Sequence, residues 1–301
     1  MQQIRLTLQA PAKINLCLRI KGRRQDGYHL IDSLMQKISL YDELDLELCP
    51  DGVGLECSGE SVPTSKENLV VRAAELFLDA IQERRQRCEA GVKIKLVKRI
   101  PVAAGLGGGS SDAAATLRGL NELHGCPCSA DELTTLGLQL GADVPFFLTD
   151  TGAAHATGIG EILEPIPCLS GLSILLVNPG FAVSTRWVYQ TFALTKGEEF
   201  SSLLISQKDV SEVVSLDEPK RITALVAIME NDLETVTVAK FPEVGLIKKA
   251  LLQNGAVKAL MSGSGPTVFG LFVEQQQADV CYAMFKPRFT HTYVVEPVRV
   301  Q

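Results

Sequence analysis

The chain has 301 residues, of which 46% are hydrophobic and 21% are charged, and its formal net charge is −6. This balance excludes a disordered chain and predicts a globular protein with one large domain or two ordinary ones. A mildly acidic protein has no global attraction to nucleic acid or to anionic membranes, so we expect neither as a partner.

The cysteines are scattered, and only Cys126 and Cys128 lie close together, without the second ligand pair of a zinc site. We therefore expect no metal site built from protein ligands. The first residues lack the basic and apolar regions of a secretory signal, and no apolar run is long enough to span a bilayer. We expect reduced cysteines, a cytoplasmic location, and a monomer or weak homodimer.

The first half of the chain mixes strand and helix patterns. A helix is predicted over 68–88, with Asn68 as its cap, and a second helix runs through 113–123 after a glycine-rich turn. Ser129 and Glu132 form a capping-box pattern that opens a helix ending near residue 140. Alternating apolar residues predict strands, the first four of them antiparallel with one buried face, at 4–8, 14–20, 44–48, 53–57 and 92–97.

The second half has a different order of elements. Strands are predicted at 172–177, 257–261, 267–273 and 291–296, and helices at 220–229, at 244–253 and before the last strand. The polar, serine-rich stretch 196–217 is predicted to be a surface connection. This order favours two α+β halves joined near 150–165 over a doubly wound sheet, with domains at 1–160 and 161–301.

The strongest functional signal is the segment 101–112, Pro-Val-Ala-Ala-Gly-Leu-Gly-Gly-Gly-Ser-Ser-Asp, between a predicted strand and a predicted helix. Glycine allows close backbone approach to a ligand, and the free N–H groups at a helix start attract anions. Ser110 and Ser111 add hydroxyl groups suited to phosphate or magnesium. The segment therefore predicts a phosphate-binding loop, with a flexible glycine-rich connection as the alternative.

Two familiar phosphate loops do not fit this segment. It lacks the Gly-Lys-Ser or Gly-Lys-Thr of a Walker P-loop. The spacing after Gly105 and Gly107 would put the third glycine of a dinucleotide fingerprint at Ser110, and no parallel βαβ series precedes it. Both alternatives are thereby excluded.

A second motif is the segment 11–16, Pro-Ala-Lys-Ile-Asn-Leu. On a strand, Lys13 and Asn15 share the face opposite the apolar series that begins at Ile14. A lysine and an amide side by side are suited to hold a substrate hydroxyl and phosphate oxygens. The alternative is a solvated outer face, which is the commoner situation for such residues.

A third motif surrounds Asp143, in the segment 141–147, Gly-Ala-Asp-Val-Pro-Phe-Phe. A carboxylate enclosed by apolar neighbours is costly unless it is paired, and a nearby lysine is the natural partner. The alternative is an aspartate that caps the next turn.

A fourth motif is the segment 261–267, Met-Ser-Gly-Ser-Gly-Pro-Thr, between two predicted strands. Its composition is that of a tight turn. It is either a turn only or a brace for the phosphate-binding loop.

Together these motifs resemble those of the GHMP kinase superfamily: 11–16 its first motif, 101–112 its phosphate loop and 262–266 its third motif. The segment 23–36 begins Arg-Arg-Gln-Asp-Gly-Tyr-His and resembles the members that phosphorylate a cytidine diphosphate sugar alcohol in non-mevalonate isoprenoid biosynthesis. The resemblance also covers 141–147 and 178–180. It implies an α+β, two-domain fold with an N-terminal ribosomal-protein-S5-like domain, a C-terminal α/β sandwich domain, and the active site in the cleft between them.

The resemblance also implies roles for individual residues. Lys13 and Asp143 match the catalytic pair, and ATP with Mg²⁺ is the expected phosphate donor. The ATP-binding residues are Pro101, Val102, Ala103, Ala104, Gly105, Leu106, Gly107, Gly108, Gly109, Ser110 and Ser111. The residues expected to bind the substrate are Asn15, Tyr28, His29, Thr185 and Tyr189.

Two other functions stay open at this point. A sister kinase acting on homoserine or a mevalonate derivative needs no base-binding aromatic residues, so Tyr28 and His29 argue against it. A catalytically silent ligand sensor on the same fold does not need both Lys13 and Asp143. Measured turnover separates an enzyme from a sensor.

Overall fold

A computed structural model describes residues 5–82, 90–196, 213 and 216–299 of the chain. The chain folds into two compact units. Unit 1 consists of Met1–Ala12, Leu40–Val102 and Gly107–Asp150, and unit 2 of Lys13–Ser39, Ala103–Leu106 and Thr151–Gln301. These units are not consecutive halves, because the chain passes between them several times. The domain division at residue 160 concerns family domains and stays a prediction.

Unit 1 packs helices against strands. Its elements are the first part of β1 (Arg5–Arg23), the second part of β2 (His29–Cys49), β3 (Asp51–Gly59), α1 (Leu69–Gln82), β4 (Ala90–Lys98), α2 (Gly108–Leu123), α3 (Ala130–Leu140) and α4 (Val144–Leu148). Apolar residues of β2 and β4, such as Leu46 and Ile94, are buried. A Cβ at Gly119 on α2 would lie 2.4 Å from Leu46 Cδ1, so glycine permits this close approach of helix to strand.

Several predicted elements of unit 1 are confirmed, and two need correction. Asn68 caps α1, and the Ser129–Glu132 capping box is present at α3. The end of the predicted helix, 83–88, lies outside the described residues. The strands predicted at 4–8 and 14–20 form one strand, β1, because Pro11 suits extended backbone and need not break a strand.

The second correction concerns β3. It was predicted to be antiparallel with a buried face, but it runs parallel to β4 and none of its residues is fully buried. The connection from β3 to β4 passes through α1, and a crossover through a helix returns the chain in the parallel direction. β2, which precedes β3, pairs with β4 in the antiparallel direction.

Unit 2 contains the rest of β1 and β2 and the C-terminal elements. These elements are β5 (Ala153–Thr157), β6 (Ile162–Pro165), β7 (Ser173–Asn178), α5 (Thr185–Lys196), α6 (Glu218–Ile228), α7 (Glu234–Lys240), α8 (Pro242–Gln253), β8 (Lys258–Met261), β9 (Val268–Phe272), α9 (Gln275–Phe285) and β10 (His291–Val295). Strands β10, β7, β9 and β8 form an antiparallel sheet in that order. The described helices of the chain lack the combined length and apolar character that crossing a membrane requires.

The sheet of unit 2 has an apolar core beside it. Buried side chains of β7, β9, α8 and α9 meet there, among them Leu175, Phe272, Leu251 and Cys281. β5 and β6 were not predicted; β5 pairs with β2 through Ser33–Gln36 and so extends the strands near the first motif. The predicted surface connection 196–217 lies largely outside the described residues.

Candidate functional site

The segment 101–112, which we call the phosphate-binding loop after its predicted role, joins β4 to α2 as expected from the sequence, but the helix begins earlier than expected. α2 starts at Gly108, so Gly108 to Ser111 form its first turn. Gly107 is the N-cap, with φ of 70° in the left-handed region, and it supplies no side-chain cap. The hydroxyl of Ser111 is buried and has no hydrogen-bond partner among the described residues. A helix start without a side-chain cap leaves N–H groups available to an anion.

The first half of the loop, 103–106, is held within unit 2. Ser262 Oγ donates a hydrogen bond to the Gly105 carbonyl at 2.9 Å, and the Lys13 N–H donates to the Leu106 carbonyl at 2.9 Å. A Cβ at Gly105 would lie 2.0 Å from the Ser262 carbonyl oxygen, and its φ is 77°. Gly105 is therefore required by the approach of the 262–266 turn. Of the two interpretations of that turn, the brace is confirmed.

Lys13 and Asn15 lie in a buried polar network of unit 2, so the solvated face considered from the sequence is wrong. Their exposed fractions are 4% and 3%. Lys13 Nζ donates to Asn15 Oδ1 at 2.6 Å, and Asn15 Nδ2 donates to Ser33 Oγ at 2.9 Å. Ser33 Oγ donates in turn to the Cys17 carbonyl at 2.7 Å. Pairing with β2, which brings Ser33 beside Asn15, is what encloses this face.

The same network reaches the 262–266 turn. Ser262 Oγ accepts a hydrogen bond from the Asn15 N–H at 3.3 Å. Asn231 Nδ2 donates to the carbonyls of Met261 and Gly263 at 2.7 and 2.8 Å. Asn231 thus holds the backbone of the turn, while Ser262 connects the turn to Asn15 of the first motif and to Gly105 of the loop. Ser33 lies within the segment 23–36, but nothing local marks it as a partner of Asn15, and Asn231 lies outside all the motifs.

Asp143 belongs to unit 1, where it stands at the N-cap position of α4. Its side chain makes no capping hydrogen bond to that helix, so the capping alternative is not supported. The residue is half-buried; the four residues after it, Val144 to Phe147, are fully buried. The expectation of an enclosed carboxylate is therefore corrected, since the apolar neighbours point into the core and leave Asp143 partly exposed.

The rings of His29 and Tyr189 pack together in unit 2, and we call these two residues, with Tyr28 next to His29 in the chain, the aromatic group. Tyr28 follows the Asp26–Gly27 turn, in which Gly27 has φ of 92°, and 58% of its surface is exposed. His29 begins β2 and is 9% exposed, and its ring centroid lies 5.2 Å from that of Tyr189 on α5. Nε2 of His29 is buried without a hydrogen-bond partner among the described residues. Burial, and secondarily the Arg23 guanidinium, lowers the pKa of His29, which favours the neutral imidazole.

Thr185, the remaining predicted substrate contact, is exposed at the start of α5. Its hydroxyl lies 2.8 Å from the Ser264 hydroxyl, so one of the two donates to the other. Thr185 therefore joins α5, which carries Tyr189, to the 262–266 turn. The Thr185–Ser264 contact therefore links the helix that carries Tyr189 to the turn that holds the Gly105 carbonyl, both within unit 2.

A metal held by acidic, histidine or cysteine ligands has no obvious place in the described ranges, where no group of three or more such residues is suitably arranged. The oxygens and N–H groups at the start of α2 suit instead a nucleotide that brings its own cation, because magnesium keeps several waters and binds phosphate oxygens.

The second half of the loop is held within unit 1 by ion pairs that the sequence did not reveal. Lys98, the last residue of β4, contacts the carboxylates of Asp42 and Asp112, and all three side chains are buried. We call Lys98, Asp42 and Asp112 the Lys98 cluster. The signal available in the sequence was the position of Lys98 and Asp112, which flank the glycine-rich segment directly.

Comparison with known proteins shows which family the chain belongs to. The chain matches the models of the GHMP kinases N-terminal domain over residues 68–151 and the GHMP kinases C-terminal domain over residues 214–289. It is 45% identical over 291 residues, 96% of this chain and 98% of the relative, to the 4-diphosphocytidyl-2-C-methyl-D-erythritol kinase of Syntrophotalea carbinolica.

Solved structures give the same result. A crystal structure of a 4-(cytidine 5'-diphospho)-2C-methyl-D-erythritol kinase is 33% identical with a TM-score of 0.78, covering 96% of this chain and 98% of that chain. Homoserine kinase from Cytophaga hutchinsonii is 20% identical with a TM-score of 0.71, covering 100% and 97%, and at that identity the likeness concerns the fold alone. The chain therefore belongs to the GHMP kinase family of ATP-dependent small-molecule kinases, and within it to the 4-diphosphocytidyl-2-C-methyl-D-erythritol kinases.

Proposed function

We propose that this chain transfers the γ-phosphate of ATP to the 2-hydroxyl of 4-diphosphocytidyl-2-C-methyl-D-erythritol. The products are the 2-phosphate and ADP, in the non-mevalonate pathway of isoprenoid precursor biosynthesis. The observation that carries the choice of substrate is the aromatic group of unit 2, with the His29 and Tyr189 rings 5.2 Å apart beside exposed Tyr28. The substrates named for the relatives support the same choice.

Asp143 is the proposed general base. As the substrate oxygen bonds to the γ-phosphorus, its proton passes to the Asp143 carboxylate, and the bond from the γ-phosphorus to the β-phosphate oxygen breaks to release ADP. Lys13 offsets the negative charge that develops on the transferred group. Asn15 holds the Lys13 ammonium in place through the 2.6 Å hydrogen bond between their side chains.

The loop 101–111 is the proposed site of the ATP phosphates, with N–H groups of the first turn of α2 as donors. The buried hydroxyl of Ser111 is suited to a further phosphate oxygen or to a water of the magnesium ion. The start of α2 would hold the nucleotide together with its magnesium ion, which would supply positive charge to offset that of the phosphates. Removal of Mg²⁺ with EDTA is expected to abolish turnover, and added Mg²⁺ is expected to restore it.

Tyr28, His29 and Tyr189 are the proposed cytosine site. An aromatic face stacks on any base, so stacking alone gives affinity without selectivity. Selectivity requires hydrogen bonds to the base edge, and Nε2 of His29 is a buried polar atom without a hydrogen-bond partner in the part of the chain that the structure describes. A neutral imidazole distinguishes a cytosine edge from a uracil edge when one tautomer is fixed, because Nε2 then acts either as a donor or as an acceptor.

An ADP-coupled assay with a panel of hydroxylated substrates tests the proposal. We expect turnover with the cytidine substrate, much weaker turnover with its uridine analogue, and none with homoserine or mevalonate. Equal activity on a sugar alcohol that lacks the nucleotide would contradict the cytosine site and leave the general kinase. No turnover with any of them would favour the silent sensor.

A further inference from the structure

The Lys98 cluster lies directly beneath the start of α2. Lys98 Nζ contacts Asp42 on β2 and lies 2.9 Å from Asp112 Oδ2 on α2. The exposed fractions of the three side chains are 4%, 0% and 3%, in the order Lys98, Asp42 and Asp112. Buried charges are costly unless they are paired, and removing one partner of such a set leaves an uncompensated charge. Moving one of the three side chains away from the others is therefore costly, so the cluster holds β2, β4 and α2 in fixed positions relative to one another within unit 1.

The charges in the cluster are arranged unequally. Asp42 Oδ1 accepts hydrogen bonds from the N–H groups of Arg99 and Ile100 at 2.6 and 2.9 Å, and its Oδ2 accepts one from Lys98. Asp112 Oδ1 is buried without a hydrogen-bond partner in the described part of the chain. Burial, with help from the neighbouring Asp42 carboxylate, raises the pKa of Asp112, although Lys98 opposes this. Both carboxylate oxygens of Asp42 thus accept hydrogen bonds within the cluster, whereas only one oxygen of Asp112 has a partner among the described residues.

Each member of the cluster fixes a different part of the loop. Asp42 holds residues 99 and 100, immediately before Pro101. Lys98 also lies against Gly108, since a Cβ there would be 2.9 Å from Nζ. Asp112 belongs to the second turn of α2. The cluster therefore fixes both the entry to the loop and the first turn of the helix.

We propose that Lys98 is a positioning residue for nucleotide binding: through Asp42, Asp112 and Gly108 it fixes the loop entry and the first turn of α2. The N–H groups of that turn are then already oriented for the phosphates of ATP, and binding needs no rearrangement. The inference rests on the proposed function of the 101–111 loop. Lys98 itself acts through the backbone of the loop.

The test measures MgADP affinity by calorimetry and steady-state kinetics for three variants. Lys98→Met removes the ammonium while keeping the length of the side chain. Lys98→Met with Asp42→Asn removes the ammonium and the Asp42 charge and keeps an oxygen for the N–H groups of Arg99 and Ile100. The carboxyl that remains is that of Asp112, whose pKa burial raises, so its neutral form is favoured in the core. Lys95→Met is the matched control, because Lys95 belongs to the same strand as Lys98 but pairs with Glu56 at 3.9 Å through exposed side chains.

We expect the MgADP dissociation constant and the KM for ATP to rise about tenfold or more in both Lys98 variants, since small displacements of binding groups are costly. The KM for the cytidine substrate at saturating ATP should change less than about threefold, and Lys95→Met should bind MgADP like the parent. MgADP affinity equal to the parent's in either folded Lys98 variant would overturn the proposal. Failure of both variants to fold would also overturn it, by assigning the cluster to the stability of unit 1.

The MgADP measurement does not depend on the acceptor substrate. If the parent binds MgADP but phosphorylates no cytidine substrate, the proposed function fails while the Lys98 result can still be interpreted. If the parent phosphorylates the substrate and the Lys98 variants bind MgADP normally, only the positioning role fails.

Discussion

The two halves of the phosphate-binding loop are held in different ways. Residues 103–106 are fixed in unit 2 by neutral hydrogen bonds, chiefly from Ser262 Oγ to the Gly105 carbonyl at 2.9 Å. Residues 107–112 are fixed in unit 1 by the buried charges of the Lys98 cluster, with Lys98 Nζ 2.9 Å from Asp112 Oδ2. One loop thus combines a neutral anchor and a charged anchor.

The two anchors differ in the free energy that is lost when one of their contacts is removed. A neutral hydrogen bond contributes about 0.5–1.5 kcal/mol net, and its loss leaves a small defect. Removing one partner of a buried ion pair costs about 3–5 kcal/mol, because the other charge stays buried. The helix start, where the phosphates are proposed to bind, has the anchor that is harder to displace. We therefore expect nucleotide binding to depend more on the charged anchor than on the neutral one.

The largest expected effect comes from a residue that belongs to neither anchor. Asp143→Asn removes the proposed proton acceptor while leaving the loop intact, so turnover should fall by about 10² to 10⁴, the range for a positioned general base. Kinetics at saturating substrates, with MgADP calorimetry beside them, measure the two properties separately. Turnover like that of the parent in a folded variant would remove Asp143 from the mechanism.

The next effect concerns the junction of the two anchors, Gly107. Its φ of 70° is left-handed, a conformation that a β-branched residue adopts only with strain of about 1–3 kcal/mol. Gly107→Val should therefore weaken MgADP binding by about 10- to 100-fold. Gly107→Asn is the matched control, because asparagine tolerates this conformation and should bind more tightly than the valine variant. Unchanged affinity in Gly107→Val would mean that the loop does not bind phosphate.

The sequence predicted the position of the loop between a strand and a helix because glycine spacing and flanking elements are local signals. It predicted the capping box at Ser129 and most elements of unit 2 for the same reason. It could not show that Lys13 is buried, since that depends on the pairing of β1 with β2, or that Ser262 touches Gly105, which is 157 residues away in the chain. It also gave the wrong direction for β3, because strand direction depends on the helical crossover. Long-range pairing, which no local pattern records, decided each of these features.

A third effect tests whether the aromatic group acts independently of the loop anchors. Tyr28→Ala removes an exposed ring that is proposed to stack on cytosine, and stacking contributes about 1–3 kcal/mol per base. The KM for the cytidine substrate should rise about tenfold, while the KM for ATP stays within about twofold. Tyr28→Phe, which keeps the aromatic face, should stay close to the parent. Equal changes in both KM values would mean that Tyr28 supports the loop and not the base.

The smallest expected effect comes from the neutral anchor, and it tests whether this anchor matters less for MgADP binding than the charged one. Ser262→Ala removes the hydrogen bond to the Gly105 carbonyl and the one from the Asn15 N–H, both of them neutral. The free energy of unfolding should fall by about 1–3 kcal/mol, and the MgADP dissociation constant should rise by about threefold, less than in Lys98→Met. Thermal or urea unfolding measures the first quantity, and calorimetry measures the second.

The relative effects of Ser262→Ala and Lys98→Met on MgADP affinity show which anchor orients the phosphate-binding N–H groups. Gly105 is also held by its close approach to the Ser262 carbonyl, which Ser262→Ala leaves in place, and Asn231 still clamps the turn through Met261 and Gly263. Residues 103–106 should therefore keep their path when the hydroxyl is lost. If Ser262→Ala weakens MgADP binding more than Lys98→Met does, the neutral anchor controls the orientation of the phosphate-binding N–H groups. The charged anchor would then serve mainly to stabilise unit 1.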